Sequence, residues 1–297
     1  MITENFLKSS IINVSKVEIS KLKTNGYVIL KKNKEFWKDH NIDISQLRDK
    51  IELLIKKSKS KKSNIALDES YRYEEGTNRI SNLLEKGDEF KNLISIPDII
   101  HCVFNILGEN FRLSSIGMRE PNKGDGYQGL HLDWNQRKDL NSEFYQITAF
   151  ILLDNITDEN GPPRIIPKSH NSMINIRSTS RITEKRSKAD NDFIELEDKK
   201  SSINLTGNIG DIILINVNAF HGGSNNLNGA RRRVIHVDYR IQSQRAQSDF
   251  YKILPKFIHS SFTAYQKTLL QLYKKSYKER LKRFIYFNKN NSIIKIT

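Results

Sequence analysis

The sequence predicts a mainly β protein with flanking helices, its core a double-stranded β-helix of the jelly-roll, cupin-like kind. Three observations carry this. Residues 111–242 hold short apolar runs separated by Gly, Pro and Asn turns, the pattern of an antiparallel β core. The segments on either side read as helices by the spacing of their apolar residues. A chain of 297 residues with 37% hydrophobic content can bury one sizeable core with helices added to it. We therefore expect one domain, 1–297, with an N-terminal helical layer (1–110), a jelly-roll core (111–242) and C-terminal helices (247–297).

In chain order, residues 1–60 are expected to hold two helices and an early strand. Ser45 and Asp49 suit the start of a helix over 46–57. Residues 61–110 read as irregular and then helical, with Pro97-Asp98 as a helix start. Cys102 falls in the apolar helical stretch 99–107 and reads as a core residue. Within the core, Gly161-Pro162-Pro163 is a rigid turn. Gly207 to Asp211 is a second turn, with glycine where φ can be positive. Residues 171–202 are long, polar and charged for a connection between core strands. They are a candidate lid over the site, or a solvated insertion. An amphipathic helix is expected over about 262–284, turning Leu269, Leu270, Leu272, Tyr273 and Tyr277 inward. The basic run 274–283 would be its solvated face.

The net charge of +15 invites a polyanion partner. Yet the lysines are scattered, and the chain is also rich in Asn and Ile, a joint bias that a low-GC coding sequence produces by itself. The basic stretch 56–62 reads as a polar connector. One cysteine excludes an internal disulfide and fits a reducing cytoplasm. No apolar run approaches the roughly 18 residues that span a bilayer, and the N-terminal residues lack a signal-peptide apolar region. No repeat, Gly-x-Ser-x-Gly elbow or phosphate loop is present; Gly124-Asp125-Gly126 does not open a helix after a strand.

The chemistry resides in His131, Asp133 and His221, with Arg232 downstream. Strand residues i and i+2 point the same way, so in Leu130-His131-Leu132-Asp133-Trp134 the histidine and the aspartate converge. His221 follows the apolar run 212–215 and brings a third donor from a distant strand end. Two imidazoles and one carboxylate hold one face of Fe(II) and leave the opposite positions open. An arginine is a planar two-pronged donor, suited to the carboxylate of 2-oxoglutarate. A lone His-x-Asp is weak, since most such histidines are strand residues with ordinary partners. His236-Val237-Asp238 is a second copy. Only the first copy has a strand-end histidine and then an arginine after it, so His236, on the same face as Arg232, reads as pocket wall. His170 sits in a turn, Pro167-Lys168-Ser169-His170, and reads as structural.

These segments resemble the phytanoyl-CoA dioxygenase family. The resemblance runs over roughly 18–240. It rests on Asn25-Gly26-Tyr27, Gln128-Gly129-Leu130-His131-Leu132-Asp133-Trp134, Leu152-Leu153-Asp154-Asn155 with Glu159-Asn160-Gly161-Pro162, and Ile165-Ile166-Pro167-Lys168-Ser169-His170. Gly210-Asp211-Ile212, His221, Asn226 and Arg232 complete it. It implies His131, Asp133 and His221 as iron ligands, Arg232 on the distal carboxylate of 2-oxoglutarate, and oxidation of a small-molecule substrate with O2. The retained Asp133 implies hydroxylation or a related oxidation, because halogenating relatives replace this carboxylate. Two departures stand out. Arg231, Arg232 and Arg233 are consecutive, so a one-residue bulge would select Arg231 or Arg233 instead. Gly223 stands where some relatives place a serine on the co-substrate. Thr148, on one strand face with Gln146 and Phe150, is a candidate replacement or simply a β-branched strand former. Two other classes stay open: an oxygenase acting on nucleic acid, for which Trp134 is on the wrong strand face to stack a base, and a non-catalytic jelly-roll binding protein.

Overall fold

The computed structural model describes residues 2–60, 76–133, 143–172 and 187–273. Helices α1 (Ile2–Lys8), α2 (Lys16–Asn25), α3 (Lys34–Asp39) and α4 (Ile44–Ser60) surround strand β1 (Tyr27–Leu30). Strand β2 (Thr77–Ser81) and helix α5 (Pro97–Leu107) precede the core strands β3 (Phe111–Pro121), β4 (Gln128–His131), β5 (Gln146–Leu152) and β6 (Pro163–Ile165). Helix α6 (Lys188–Ser201) leads into β7 (Ile203–Asn204), β8 (Ile212–Asn216), β9 (His221–Gly223) and β10 (Val234–Ile241). Two short helices, α7 (Phe250–Ile253) and α8 (Ala264–Leu270), follow.

The strands form two antiparallel sheets, ordered β1-β8-β5-β10-β3-β2 and β4-β9-β6-β7. Strand alternation gives each sheet two distinct faces. On the large sheet, Ile147, Ala149, Ile151, Ile212, Leu214, Ile235, Val237 and Tyr239 turn outward and share one core with Leu22, Ile51, Ile99 and Val103 of the helices. The opposite face carries Phe150, Leu152, Ile213, Ile215 and Val234, which pack against Ile165 and Ala219 from the small-sheet side. The outer face of the small sheet, with Leu130, Leu132, Ile166 and Phe220, is covered by Ile194 of α6. Each sheet is therefore covered on its outer face, and the inner faces meet in a second apolar core with buried polar residues beside it.

Several expectations are corrected. Residues 1–60 hold four helices, because Ser15 and Asn33 each cap a short helix that the apolar pattern alone does not mark. Helix α4 starts at Ile44, and its cap is Asp43, whose carboxylate accepts from the Ser45 and Gln46 amides. Residues 76–110 are not only irregular and helical: β2 adds an edge strand to the large sheet, pairing with β3. The C-terminal amphipathic helix ends at Leu270, where Gln271 turns left-handed (φ 54°). Leu269, Leu270 and Leu272 are buried as expected, but Tyr273 is exposed. Tyr277 and the basic run 274–283 lie outside the described residues. So do Trp134 and residues 173–186 of the candidate lid. In the remainder of that segment, α6 is docked on β4 and on Arg164. Among the described residues no single helix is long and apolar enough to cross a membrane.

Candidate metal and co-substrate site

Strands β4 and β9 pair with His131 directly opposite His221, and the two ring centroids lie 4.6 Å apart. Each histidine is oriented by its own backbone. His131 Nδ1 is 2.8 Å from the Gly129 carbonyl, and His221 Nδ1 is 2.9 Å from the Ala219 carbonyl. A carbonyl only accepts, so each Nδ1 carries the proton and each Nε2 presents a lone pair. Strand β4 ends at His131, so alternation alone does not place Asp133. A long backbone bond from its amide to the Val217 carbonyl (3.4 Å) brings the end of β8 alongside. The Asp133 oxygens then lie 3.6 Å from His131 Nε2 and 3.9 Å from His221 Nε2. These are too long for hydrogen bonds. They suit three donors around one ion, and all three ligand atoms lie within 4.8 Å of one another. Two neutral imidazoles and one carboxylate on one side are a donor set fitted to Fe(II).

The close approach of β4 and β9 depends on glycine. A Cβ on Gly222 would fall 2.4 Å from the Gln128 carbonyl oxygen, which is backbone and cannot swing aside. We expect Gly222→Ala to push the two histidine strands apart and to weaken iron binding about tenfold or more, as disturbed ligand support does elsewhere. Iron titration followed by competition with a chelator checks this; unchanged affinity would show that the strands can part without moving the imidazoles.

The three consecutive arginines sort by face. Arg231 binds Glu120 and, at 2.7 Å, Glu52. Arg233 makes a two-pronged pair with Asp154 at 2.8 and 2.7 Å, and its amide also donates to that carboxylate. Both neighbours are thus held by carboxylates, and Arg232 between them is 2% exposed. Arg232 lies just before β10, which begins at Val234, a residue of the core between the sheets. Alternation puts Arg232 on that inner face, as the family offset implies. Burial alone would raise the Asp154 pKa, but the Arg233 hydrogen bonds and charge outweigh it and hold the carboxyl below its usual range. A depressed folded-state pKa means that the stabilisation is present at neutral pH and fades as pH falls through the acid range. We expect Asp154→Asn to destabilise the fold by about 3 kcal/mol at pH 7. Denaturant melts should show the gap to wild type shrinking below about pH 4; a constant gap would mean that the pair's charge is not what matters.

The inner face of β5 and β10 carries a polar cluster that the sequence reading reached only in part. Thr148 opposes Asp238 and donates to it at 2.6 Å, and Ser115 of β3 donates to the same carboxylate. Next along, Arg240 donates to Gln146 (2.9 Å from Nε), and burial draws its pKa down to about 10 with Asp238 opposing the shift. Thr148 therefore lies on the inner face, six positions along the strand from Arg232, with its hydroxyl proton on Asp238. The Tyr145 amide at the start of β5 donates to Asn218 (3.2 Å), three residues before His221. The polar cluster thus occupies the metal's end of the chamber. Asp238 and Arg240 follow His236 at i+2 and i+4, and extending that alternation finds them. His236 itself packs on Phe150, 4.6 Å between centroids, and is not among the converging metal donors. His170 is buried with Nε2 2.9 Å from the Lys23 carbonyl, apart from the metal donors. Cys102 is fully buried and its thiol pKa is pushed up by burial, so it is a core residue.

The family model for phytanoyl-CoA dioxygenase (PhyH) matches residues 22–234, which is most of the chain. No curated protein matches the sequence significantly. Solved structures match well in fold. HygX from Streptomyces hygroscopicus, with nickel and 2-oxoglutarate bound, is 16% identical and covers 78% of this chain and 89% of its own (TM-score 0.57). EctD from S. alaskensis, with 2-oxoglutarate and 5-hydroxyectoine, is 17% identical over 81% of this chain and 82% of its own (TM-score 0.58). SnoK, a non-haem α-ketoglutarate-dependent carbocyclase from nogalamycin biosynthesis, is 16% identical over 77% and 85% (TM-score 0.55). At these identities the structures speak for the fold, and the family match carries the class. With His131, Asp133 and His221 converging between the two sheets, the chain belongs to the phytanoyl-CoA dioxygenase family and is a non-haem Fe(II)- and 2-oxoglutarate-dependent dioxygenase.

Proposed function

We propose that this dioxygenase oxidises a C–H bond of a small polar metabolite, most simply by hydroxylation, with release of succinate and CO2. His131, Asp133 and His221 are the iron ligands in this reading, and Arg232 receives the distal carboxylate of 2-oxoglutarate. The single observation that carries it is the convergence of three ligand atoms with both imidazoles already oriented by backbone carbonyls. When bound, iron and 2-oxoglutarate supply the activation of O2, coupled to loss of CO2 from the co-substrate.

The chain's own groups bind, orient and exclude. The backbone bonds at Nδ1 keep both rings fixed, so little ordering remains to be done when the metal enters. Phe150, Leu152, Ile213, Ile215 and Val234 pack as buried apolar surface between the sheets, on the strand face that Arg232 shares. That surface limits water and strengthens the charge pairing between Arg232 and a carboxylate. In this reading the polar cluster of Gln146, Thr148, Asp238 and Arg240, on the same inner strand face, favours a substrate with hydrogen-bonding groups. HygX, crystallised with hygromycin B, and EctD, with 5-hydroxyectoine, hold small polar molecules in the same fold, which supports this substrate class. Thr148 gives its proton to Asp238 and accepts from Gln146 Nε2 at 3.4 Å, so its hydroxyl helps hold the cluster in place.

The test is an anaerobic titration of purified protein with Fe(II) and then 2-oxoglutarate, following the weak visible charge-transfer band near about 500 nm that such open sites give. A band that disappears in His131→Ala is the expected result, and a screen of small metabolites by succinate release then follows. Failure of the protein to bind iron would favour a binding protein that only shares the fold. Succinate release stimulated by oligonucleotides alone would move the substrate to nucleic acid.

A further inference from the structure

The space in front of Gly223 is filled by the Gly126 carbonyl, the Gln128 side chain and Arg119, the last from the other sheet. Gly223 lies two residues after His221, so both face the chamber. A Cβ there would meet the Gly126 carbonyl oxygen at 2.8 Å, so no serine fits at this position. The same point is 3.5 Å from Nη1 of Arg119. Arg119 comes from β3, where Ile116 and Met118 turn to the helices and Ser115, Gly117 and Arg119 turn inward. It crosses the gap between the sheets and donates from Nη2 to the Gly126 carbonyl at 2.9 Å. Arg119 is register partner of Val234, two residues after Arg232. Continued two residues back from Val234, that register makes Arg232 the diagonal neighbour of Arg119, about 7–8 Å away at Cα. Both are almost fully buried, at 3% and 2% exposure.

We propose that Arg119 is a second binding residue for the distal carboxylate of 2-oxoglutarate, acting with Arg232 as a two-arginine seat. The inference rests on the iron and 2-oxoglutarate reading above. Two buried guanidinium groups beside an apolar core make a strongly positive locus, and a carboxylate has lone pairs enough to accept from both forks. One consequence is specificity. Such a seat favours a five-carbon 2-oxo acid with a terminal carboxylate over the same chain ending in methyl. Arg119 then replaces the hydroxyl that Gly223 cannot supply, and Gly223 is required because the Gly126 carbonyl that Arg119 binds occupies its side-chain space.

The experiment is an anaerobic titration of the Fe(II)-loaded protein with 2-oxoglutarate and, separately, with 2-oxopentanoate, which lacks only the terminal carboxylate. The readout is the charge-transfer band, so no turnover or substrate is needed. Arg119→Gln is expected to weaken 2-oxoglutarate binding about tenfold or more, the effect of losing a charged hydrogen bond. It should leave 2-oxopentanoate within about twofold. Arg119→Lys keeps the cation and guards against a folding defect in the glutamine variant. It should show an intermediate loss that again falls on 2-oxoglutarate alone. An unchanged ratio between the two ligands, in whichever variant folds, would overturn the proposal, whether neither affinity moves or both fall together. A wild-type protein that gives the band with 2-oxopentanoate and 2-oxoglutarate at equal affinity would overturn it as well. Absence of any band in wild type would instead remove the underlying reading, and this inference with it.

Discussion

His131→Ala and Asp133→Ala are each expected to reduce succinate formation to below about a thousandth of wild type, a barrier increase of roughly 4 kcal/mol. The loss has two sources. A two-donor remnant binds iron weakly, and what metal remains no longer has its open positions aimed into the chamber. Stability should change little. The imidazole of His131 donates to the carbonyl of its own strand two residues back, and the His221 ring beside it keeps its own backbone bond. Asp133 lies beyond the end of β4, and the bond that anchors its backbone comes from its amide, which alanine keeps. Circular dichroism and a melting curve beside the iron titration separate the two effects. Turnover at wild-type rate in either variant would sink the ligand assignment, and a collapsed melting curve would show that the residues hold the fold as well.

Arg232→Ala is expected to raise the 2-oxoglutarate concentration needed for half-saturation by about 100-fold, because a buried charged pair loses one partner. Iron affinity should stay within a factor of about two, since a positioned donor to the co-substrate is removed and no metal ligand is touched. Arg231→Ala is the informative control. Its guanidinium is held by Glu120 and Glu52 on the outer side, so its loss should affect melting more than co-substrate binding. If Arg231→Ala alone weakens 2-oxoglutarate, the strand register in solution is one residue off from that described here. A slip of that kind would also bury the Asp154 carboxylate without its Arg233 partner, a second reason to expect the described register.

Much of this site was legible in the sequence, for physical reasons. His131, Asp133 and His221 are few, polar and placed in apolar strand surroundings, so they stand out against the period-2 pattern. The outer-face core was legible in the same way, from runs such as 212–215. Other parts depended on contacts distant in the chain. Strand β2 is polar and half-buried, and its membership of the sheet is set by β3 forty residues later. The short helix α3 is fixed by its Asn33 cap and α1 by packing on α5 and α8, and their own periodicity is slight. Arg119 was illegible as a site residue because its meaning lies in Gly223 across the chamber. No local spacing connects the two, and only the missing Cβ hinted that something else filled that space.

The two faces of β10 obey different constraints. Ile235, Val237 and Tyr239 are buried against helices, where a lost methylene opens a cavity and costs about 1 kcal/mol or more. His236, Asp238 and Arg240 stand between them and face the chamber, half-buried. A change there alters what the chamber admits while leaving the helix-side packing alone. The same alternation on β5 sets Gln146, Thr148 and Phe150 against Ile147, Ala149 and Ile151. Evolution acting on this scaffold can therefore exchange substrates by drifting through alternate positions while the intervening ones stay fixed. A mutant library restricted to 146, 236, 238 and 240 should keep most members folded, whereas one shifted by a single residue along the same strands should lose most of them.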